Sequence, residues 1–299
     1  HDSGACMIKY SEKKSEIIAI SEERLIRKKY SYHFPLLSIL YCMNHFKIKS
    51  FKKIDLIVSD WARTNRWLRN GPGYNYQMFD YIKEKLDIDK KKVKTITHHL
   101  GHAASAYYAS NFKDSAVLVV DGNGSDVETT SFYSAKNKNI NLIQNYKNQG
   151  IGAAYTAVTS NILNLGTGSE GKTMGLAPYG KRNKKIKIPY KLNGIKNDFE
   201  NFMLRMPFSD VLNQKNDNYR LNPVKAKIVL ANHKNVTNKY YRDWAFKIQD
   251  ICEKVMIHLT KSINKKTNHK NICVVGGVAL NCVANEKLFQ NSNFKDMFV

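Results

Sequence analysis

Hydrophobic positions in this chain follow two different periods, and together they predict a mixture of strands and helices. Short runs that alternate or are rich in β-branched residues predict strands, whereas apolar residues three or four positions apart predict helices. The predicted strands are 4–10, 16–21, 54–59, 93–97, 116–120, 127–134, 140–146, 272–275 and one beginning within 291–299. The predicted helices are 35–46, 75–86, one following Thr97, one from Gly152, 197–205, 240–264 and 278–290.

Two apolar stripes and one continuous apolar run indicate where the core lies. The run 116–120 is short, continuous and β-branched, which is typical of a strand buried on both faces. Strands that alternate with helices in this way predict an α/β fold. The stripes expected to face the core are Leu36, Leu37, Leu40 and Met43 in the first long helix, and Trp244, Ile248, Ile251, Val255 and Leu259 in the helix 240–264.

Length and composition predict a folded protein outside the membrane. A chain of 299 residues with 42% hydrophobic and 11% aromatic residues can bury a substantial core, as one large domain or two lobes. No apolar run approaches the roughly 20 residues that cross a bilayer, and no basic-then-apolar leader follows His1. The five cysteines are scattered and lie mostly in apolar runs, which indicates reduced thiols and a cytoplasmic location.

The net charge of +23 raises the possibility of a nucleic-acid partner. Lysine supplies 39 of the 48 cationic residues and occurs in every region beside many Asn and Ile residues. An AT-rich genome gives any protein surface this composition. The overall composition therefore does not predict a nucleic-acid partner.

The segment 97–121 holds the strongest candidate chemistry. If Thr97 caps a helix, His98 and His102 lie one turn apart on the same face, with β-carbons roughly 5–6 Å apart. His99 points to another face and needs no functional role. Asp121 ends the run 116–120 and would emerge at the carboxyl end of that strand, where α/β sheets bind ligands. These residues are a candidate metal site, although such a histidine pair is more often an ordinary feature of a helix surface.

Three glycine-containing segments are candidates for close backbone approach to a ligand. Gly276 and Gly277 form a turn between a strand and a helix, and the segment around Gly150 and Gly152 opens a helix with free backbone amides. The segment 166–180 is rich in glycine but lacks the spacing of a P-loop.

Five sequence blocks, in this order along the chain, resemble the carbamoyltransferase family of nodulation and antibiotic-tailoring enzymes. They are HDSGACM at the start, SEERLIRKKYSYHFP at 21–35, HHLGHAASAYYASNF followed by VVDGNGS within 98–125, GSEGKTMGLAPYG at 168–180 and VVGGVALNCVANEKL at 274–288. Blocks spread over nearly the whole chain are far more specific than any single motif.

The resemblance implies roles for particular residues. His98, His102 and Asp121 would be the metal ligands, and two imidazoles with one carboxylate suit Fe²⁺ while tolerating zinc or manganese. His1 and Asp2 would belong to the active site, with His1 as the base, and the pattern that includes Glu22, Glu23, Arg24, Arg27 and Lys29 would line the ligand pocket. The resemblance thus gives His1, Asp2 and Lys29 as catalytic candidates. It gives as substrate or nucleotide candidates Arg27, Gly122, Gly124, Gly150, Gly152, Tyr155, Glu170, Lys172, Gly276, Gly277 and Asn281.

The resemblance also implies a reaction. Such enzymes convert carbamoyl phosphate and ATP to carbamoyl adenylate in a C-terminal YrdC-like domain, and then transfer the carbamoyl group to an acceptor hydroxyl with the help of a divalent metal. The adenylate-forming domain and a further metal-ligating aspartate are expected beyond Val299, so the chain alone is expected to be inactive. The acceptor would be a small molecule such as a sugar, an aminoglycoside or a lipo-oligosaccharide, selected by loops such as 60–74.

The implied fold is that of the actin-like sugar kinases and heat-shock ATPases, with two βββαβα lobes around a cleft. We expect a first lobe over 1–150, which contains the histidine motif, and an incomplete second lobe over 151–299 with an irregular insertion around 181–238. Two other functions remain open: a tRNA threonylcarbamoyl-type transferase of the same fold, and a non-catalytic module that binds metal or nucleotide.

Overall fold

The computed structural model describes residues 3–12, 14–29, 31, 34–60, 88–125, 128–147, 150–166, 168–188, 190–193, 196–198, 212–215, 218–221 and 238–299. His1, Asp2, residues 61–74 of the predicted loop 60–74 and the predicted helix 75–86 lie outside these residues. The chain divides into two compact units, His1–Ile96 and Thr97–Val299.

The first unit contains a hairpin, two helices and a parallel pair of short strands. Strands β1 and β2 pair antiparallel, as their alternating pattern predicts, and β3 pairs parallel with β4. The elements are β1 (Gly4–Tyr10), β2 (Ser15–Ser21), α1 (Glu22–Ile26), α2 (Leu36–His45), β3 (Ile57–Ser59) and β4 (Val93–Thr95).

Helix α2 buries a different face from the one that its leucines predict. Ser38, Cys42 and Met43 are buried, whereas Leu37 and Leu40 are 45% and 44% exposed. The Cys42 thiol lies 3.7 Å from the carbonyl oxygens of both Ala5 and Ile18, so the small residues of α2 face the hairpin. Close packing between these backbones favours small side chains, and this outweighs the larger apolar area of the leucines.

The second unit is built around one five-stranded sheet. Its elements are α3 (His98–Ala109), β5 (Asp114–Val120), β6 (Glu128–Lys136), β7 (Asn139–Lys147), α4 (Ile151–Ala157), α5 (Glu170–Leu176), β8 (Lys191–Asn193), β9 (Lys196–Asp198), β10 (Leu212–Lys215), β11 (Asn218–Leu221), α6 (Lys239–Thr267), β12 (Asn271–Val275), α7 (Cys282–Gln290) and β13 (Asp296–Phe298). Strands β8 to β11 form two separate hairpins.

The sheet has the order β13-β12-β5-β6-β7 and is covered on both faces. Strand β12 runs parallel to β5 and β13, whereas β5, β6 and β7 are successively antiparallel. Leu118 and Val120 face the predicted stripe of α6, and Val117 and Val119 face α3. Burial of alternate residues on opposite faces explains why this strand is apolar at every position.

This topology confirms the α/β class and gives the βββαβα order expected of one actin-like lobe. Three antiparallel strands are followed by helices, the parallel strand β12, the helix α7 and the parallel strand β13. A division at residue 150 does not describe this unit, because β5, β6 and β7 share a sheet with β12 and β13. The compact unit begins at Thr97 instead.

Two element boundaries also differ from prediction. The predicted helix 278–290 is a 3₁₀ turn, Gly277–Leu280, followed by α7, because the Asn281 side chain accepts a hydrogen bond from the Ala284 amide and caps α7 there. Residues 197 and 198 of the predicted helix 197–205 lie in strand β9, and the remainder lies outside the described residues. None of the described helices is both long and apolar enough to span a membrane.

Candidate metal centre

A capped helix and the end of a buried strand bring three potential ligands together. The Thr97 hydroxyl accepts a hydrogen bond from the Leu100 amide and begins α3 at His98, as the sequence predicts. Asp121 directly follows β5, and its amide donates to the Thr129 carbonyl of β6. Backbone and cap hydrogen bonds therefore fix the positions of both elements.

The three ligand atoms form a nearly equilateral triangle. Nε2 of His98 lies 3.1 Å from Nε2 of His102, and these atoms lie 3.2 Å and 3.0 Å, respectively, from Oδ2 of Asp121. The His98, His102 and Asp121 side chains are 35%, 29% and 16% exposed, so the group is accessible from one side. The geometric expectation of the sequence analysis, that the two imidazoles and the carboxylate converge, is met.

Asp121 is held as an anion with a fixed orientation. Burial acts to raise its pKa, but hydrogen bonds from His102, His98 and the Gly122 amide outweigh burial and hold the pKa well below its usual range. The Gly122 amide donates to Oδ1 over 2.6 Å. This hydrogen bond leaves Oδ2 directed at the two histidines.

The donor set and its spacing fit a divalent metal ion. Two ligands at right angles on one cation, with bonds of about 2.1–2.2 Å, are about 3.0–3.1 Å apart, close to all three observed distances. Two imidazoles and one carboxylate on one face of a coordination sphere are a common arrangement for Fe²⁺ and similar cations. Among the described residues, this is the one group of histidine, cysteine or acidic side chains spaced to hold a metal ion.

His99 points to another face of α3 than His98 and His102, as the sequence predicts, and this face is buried against the sheet. Its ring is buried at 1% exposure, and Nδ1 lies 2.7 Å from the Ser131 hydroxyl of β6. Burial lowers the pKa of His99 to about 4, so the ring is neutral at pH 7. Its position one residue after a ligand, on the sheet-facing side of α3, is the signal that identifies it as a core residue.

Two glycines allow backbone to approach Asp121 closely. The parallel register of β5 and β12, continued two positions beyond its last pair, Val275 with Val119, places Gly277 opposite Asp121. A β-carbon at residue 277 would lie 2.9 Å from Asp121 Oδ1, and one at residue 152 would lie 2.7 Å from the Asp121 carbonyl oxygen. Three segments that are distant in sequence thus meet at Asp121, one of them at its carboxylate and one at its backbone.

Tyr155 and Asn281, both predicted to contact a ligand, form hydrogen bonds with Gln249 of α6. The Tyr155 hydroxyl donates to Gln249 Oε1 over 2.9 Å, and the Asn281 amide donates to the same oxygen over 2.8 Å. Gln249 Nε2 donates back to Asn281 Oδ1 over 3.1 Å. All three side chains are buried, so they join α4, α6 and α7. The sequence analysis did not single out Gln249. Its position next to Ile248, on the buried stripe of α6, is the feature of the sequence that indicates a buried polar side chain there.

The other predicted site residues belong either to the second unit or to the first unit. In the second unit, Gly122 follows Asp121 directly, Gly124 packs against His99 and Glu128, Gly150 precedes α4, and Gly276 follows β12. Glu170 begins α5 and accepts a hydrogen bond from Thr156 of α4 over 2.7 Å, while Lys172 is exposed.

Arg27 and Lys29 are exposed residues of the first unit, and Arg27 ends α1 with a left-handed φ of 58°. Glu22 is not available to a ligand, because its buried carboxylate accepts hydrogen bonds from the amides of Leu37 and Ser38 and from the Ser38 hydroxyl.

Curated relatives match the whole chain at modest identity. The Synechocystis sp. protein sll1178 is 29% identical over all of this chain and 52% of its own length. Nodulation protein NolNO of Sinorhizobium fredii is 27% identical over all of this chain and 44% of its own length. The chain thus spans about half the length of these relatives.

Solved structures give partial similarities. HypF of T. kodakarensis has a TM-score of 0.45 and 16% identity, covering 88% of this chain and 40% of HypF. Component A of the (R)-2-hydroxyglutaryl-CoA dehydratase of Acidaminococcus fermentans has a TM-score of 0.45 and 13% identity, covering 99% of this chain and 91% of component A. TM-scores below 0.5 add nothing to the fold that the strand order establishes.

The family assignment agrees with the order of the conserved-looking blocks and with the paired histidines of α3. The family described as the carbamoyltransferase N-terminus matches residues 1–299. The chain therefore belongs to the carbamoyltransferase family and corresponds to its N-terminal part.

Proposed function

We propose that this chain is the acceptor-side part of an O-carbamoyltransferase that moves a carbamoyl group from carbamoyl adenylate to a hydroxyl of a small-molecule acceptor. The observation that carries the proposal is the triangle of His98 Nε2, His102 Nε2 and Asp121 Oδ2, with sides of 3.0–3.2 Å, in a member of the carbamoyltransferase family. Carbamoyl adenylate would be made from carbamoyl phosphate and ATP by a YrdC-like domain outside these 299 residues.

The residues of the chain would perform two tasks at the site. His98 and His102 would hold a divalent metal, Fe²⁺ by preference, through Nε2, and Asp121 would hold it through the oxygen not bonded to Gly122. A bound divalent cation supplies Lewis-acid chemistry, which polarises a carbonyl or phosphate oxygen. The turns around Gly150 and Gly152 and at Gly276 and Gly277 would let the adenylate approach the backbone, because each turn precedes a helix whose first amides can bind an anion.

The proposed transfer needs one base, which takes the proton of the acceptor hydroxyl. The acceptor oxygen forms a bond to the carbamoyl carbon, the bond from that carbon to the adenylate oxygen breaks, and AMP leaves with its electron pair. The hydroxyl proton passes to a base, for which we propose His1, with Asp2 beside it and Arg27 and Lys29 holding anionic oxygens. Glu170 and Lys172 complete the proposed substrate-binding set.

Metal binding is tested first, by isothermal titration of the chelator-treated protein with Mn²⁺, Zn²⁺ and, without oxygen, Fe²⁺. We expect one equivalent to bind, and each of His98→Ala, His102→Ala and Asp121→Asn to weaken binding at least 100-fold. His45→Ala removes an exposed imidazole of the first unit and serves as the matched control. Unchanged affinity in all three site variants would refute the metal site.

Transfer is tested separately with chemically prepared carbamoyl adenylate and a panel of hydroxylated acceptors, followed by mass spectrometry. Metal-dependent formation of carbamoylated product, lost in His98→Ala, supports the proposal. Metal binding without transfer from the adenylate to any acceptor, in a protein that also contains the C-terminal half, would favour a non-catalytic metal module instead.

A further inference from the structure

One surface segment departs from the even spread of lysine in this chain. Residues 181–187 read KRNKKIK, so five of seven positions are cationic and none is acidic. Lys181, Arg182, Lys184, Lys185 and Lys187 are all exposed. We call residues 181–188 the basic segment, and we propose that it is a binding site for single-stranded nucleic acid.

Two buried isoleucines and hydrogen bonds to α6 fix the basic segment to the rest of the second unit. Ile186 and Ile188 are buried in the core at 5% and 6% exposure. Lys184 and Lys185 lie exposed in a turn that the Ile186 amide closes by donating to the Asn183 carbonyl over 3.2 Å. The Lys181 amide and the Asn183 side chain both donate to the Asp243 carboxylate of α6, each over 3.0 Å. A fixed row of cations loses less conformational entropy on binding an anionic polymer than a flexible tail does.

Asp243, the acid that accepts hydrogen bonds from this segment, does not neutralise its charge. The Asp243 side chain is 2% exposed, and its carboxylate is already paired with Lys239 Nζ at 2.7 Å. The exposed cations of the basic segment have no carboxylate partner among the residues that the structure describes. Their charge therefore faces solvent and attracts anions.

The ends of the segment add features that favour a nucleic acid over other anions. Tyr179 is 70% exposed and directly precedes Gly180, which packs so closely on the Arg242 carbonyl that a β-carbon would overlap it. The Nε atom of Arg242 is buried without a hydrogen-bond partner among the described residues. An exposed ring beside a dense row of cations is the combination that binds stacked bases and a phosphate backbone.

Fluorescence anisotropy of a labelled 20-nucleotide oligo(U) with the full 299-residue chain tests the site over a series of salt concentrations. We expect the triple variant Lys184→Gln, Lys185→Gln, Lys187→Gln to weaken binding at least tenfold. Its slope of log affinity against log salt should fall by about 2, because each lost contact to a single strand contributes about 0.7.

The matched control removes the same charge elsewhere. Lys261→Gln, Lys265→Gln, Lys266→Gln changes three exposed lysines near the end of α6 and should alter affinity less than threefold. Equal weakening by both triple variants would show that only the net charge matters and would overturn the site. Equal thermal unfolding temperatures of the variants confirm that folding is not the cause.

Base stacking distinguishes nucleic acid from other polyanions. Tyr179→Ala should weaken oligo(U) binding about tenfold, whereas Tyr179→Phe, which keeps the ring, should bind like the wild type. Inorganic polyphosphate binding as tightly as oligo(U), with no effect of Tyr179→Ala, would overturn the nucleic-acid assignment. Because His98→Ala should leave oligo(U) affinity unchanged, the result is independent of the proposed transferase activity.

Discussion

At the scale of single residues, the candidate metal centre depends on what is absent as much as on its ligands. Gly277 and Gly152 bring two backbone segments within van der Waals distance of Asp121, and any side chain there would displace the carboxylate or the turn. The hydrogen bond from Gly122 then selects which oxygen faces the histidines. Ligand geometry is therefore set by neighbours that carry no functional group.

Gly277→Ala is expected to weaken metal binding at least tenfold, because the added β-carbon would lie 2.9 Å from Asp121 Oδ1. Gly175→Ala in α5 is the matched control, since a β-carbon there meets no atom within 4 Å. Titration with Mn²⁺ measures both. Equal affinity of the two variants would show that the turn does not position Asp121.

Burial of His99 makes the stability of the metal-free protein depend on pH. Its pKa falls from the ordinary 6.5 to about 4 in the folded protein, so the unfolded chain binds the proton first as pH decreases. Stability is fully present above pH 6.5 and is lost towards pH 4, by about 2 kcal/mol at pH 5.

Urea unfolding at pH 7 and pH 5 in the presence of a chelator measures this loss. In His99→Asn the part due to His99 should vanish, although the variant is less stable at both values because the packing changes. A variant that loses as much stability as the wild type between the two pH values would contradict this account.

At the scale of elements, buried polar side chains decide how helices are oriented. Glu22 holds the first turn of α2 through the amides of Leu37 and Ser38, at the end of the helix where a carboxylate is stabilised by the helix dipole. Gln249 plays a similar part in the second unit, where it binds both Tyr155 and Asn281. Neither contact is between residues near in sequence, so neither follows from a local pattern.

Glu22→Ala is expected to destabilise the protein by about 1–3 kcal/mol, because two amides and the Ser38 hydroxyl lose their acceptor. Glu23→Ala is the control, since it removes a carboxylate from the adjacent, less buried position of α1. Chemical unfolding measures both variants. If the two cost the same, the carboxylate of Glu22 does not stabilise α2.

At the scale of the whole molecule, side-chain contacts join strands from distant parts of the chain. These contacts lie at the end of β5 opposite to Asp121. His269 Nε2 lies 2.7 Å from the Ser134 hydroxyl, and His269 Nδ1 lies 3.2 Å from Asp114 Oδ2. A serine, a histidine and an aspartate in contact in this order resemble a hydrolase triad. Ser134, however, lies within a strand that pairs with a neighbour on both sides. The backbone amides around Ser134 form the hydrogen bonds of the sheet and are not free to bind a substrate oxygen. We therefore assign these contacts a role in stabilising the fold.

His269→Ala is expected to lower the free energy of unfolding by about 1–2 kcal/mol, because it breaks contacts that join β5, β6 and the segment before β12. His45→Ala breaks an exposed pair with Glu16 and should change it by less than about 0.5 kcal/mol. Unfolding in urea distinguishes the two. An effect of His269→Ala no larger than that of His45→Ala would rule out the proposed tie.

The sequence by itself determined what depends on near neighbours along the chain. The period of apolar residues predicted β5, β6, β7 and α6, the cap at Thr97 placed His98 and His102 on one face of α3, and the end of the apolar run placed Asp121 at a strand terminus. These features follow from local backbone geometry, which the identities of adjacent residues largely dictate.

Only the tertiary structure decided which distant segments meet. The pairing of β5 with β12 brought Gly277 to Asp121 and joined strands from both sides of residue 150 into one sheet. Packing also determines which face of α2 is buried: Ser38 and Cys42 lie in the core, whereas Leu37 and Leu40 are exposed. Packing likewise brings Tyr155 and Asn281 within hydrogen-bonding distance of Gln249. Such contacts depend on the relative placement of whole elements, which no local period of the sequence encodes.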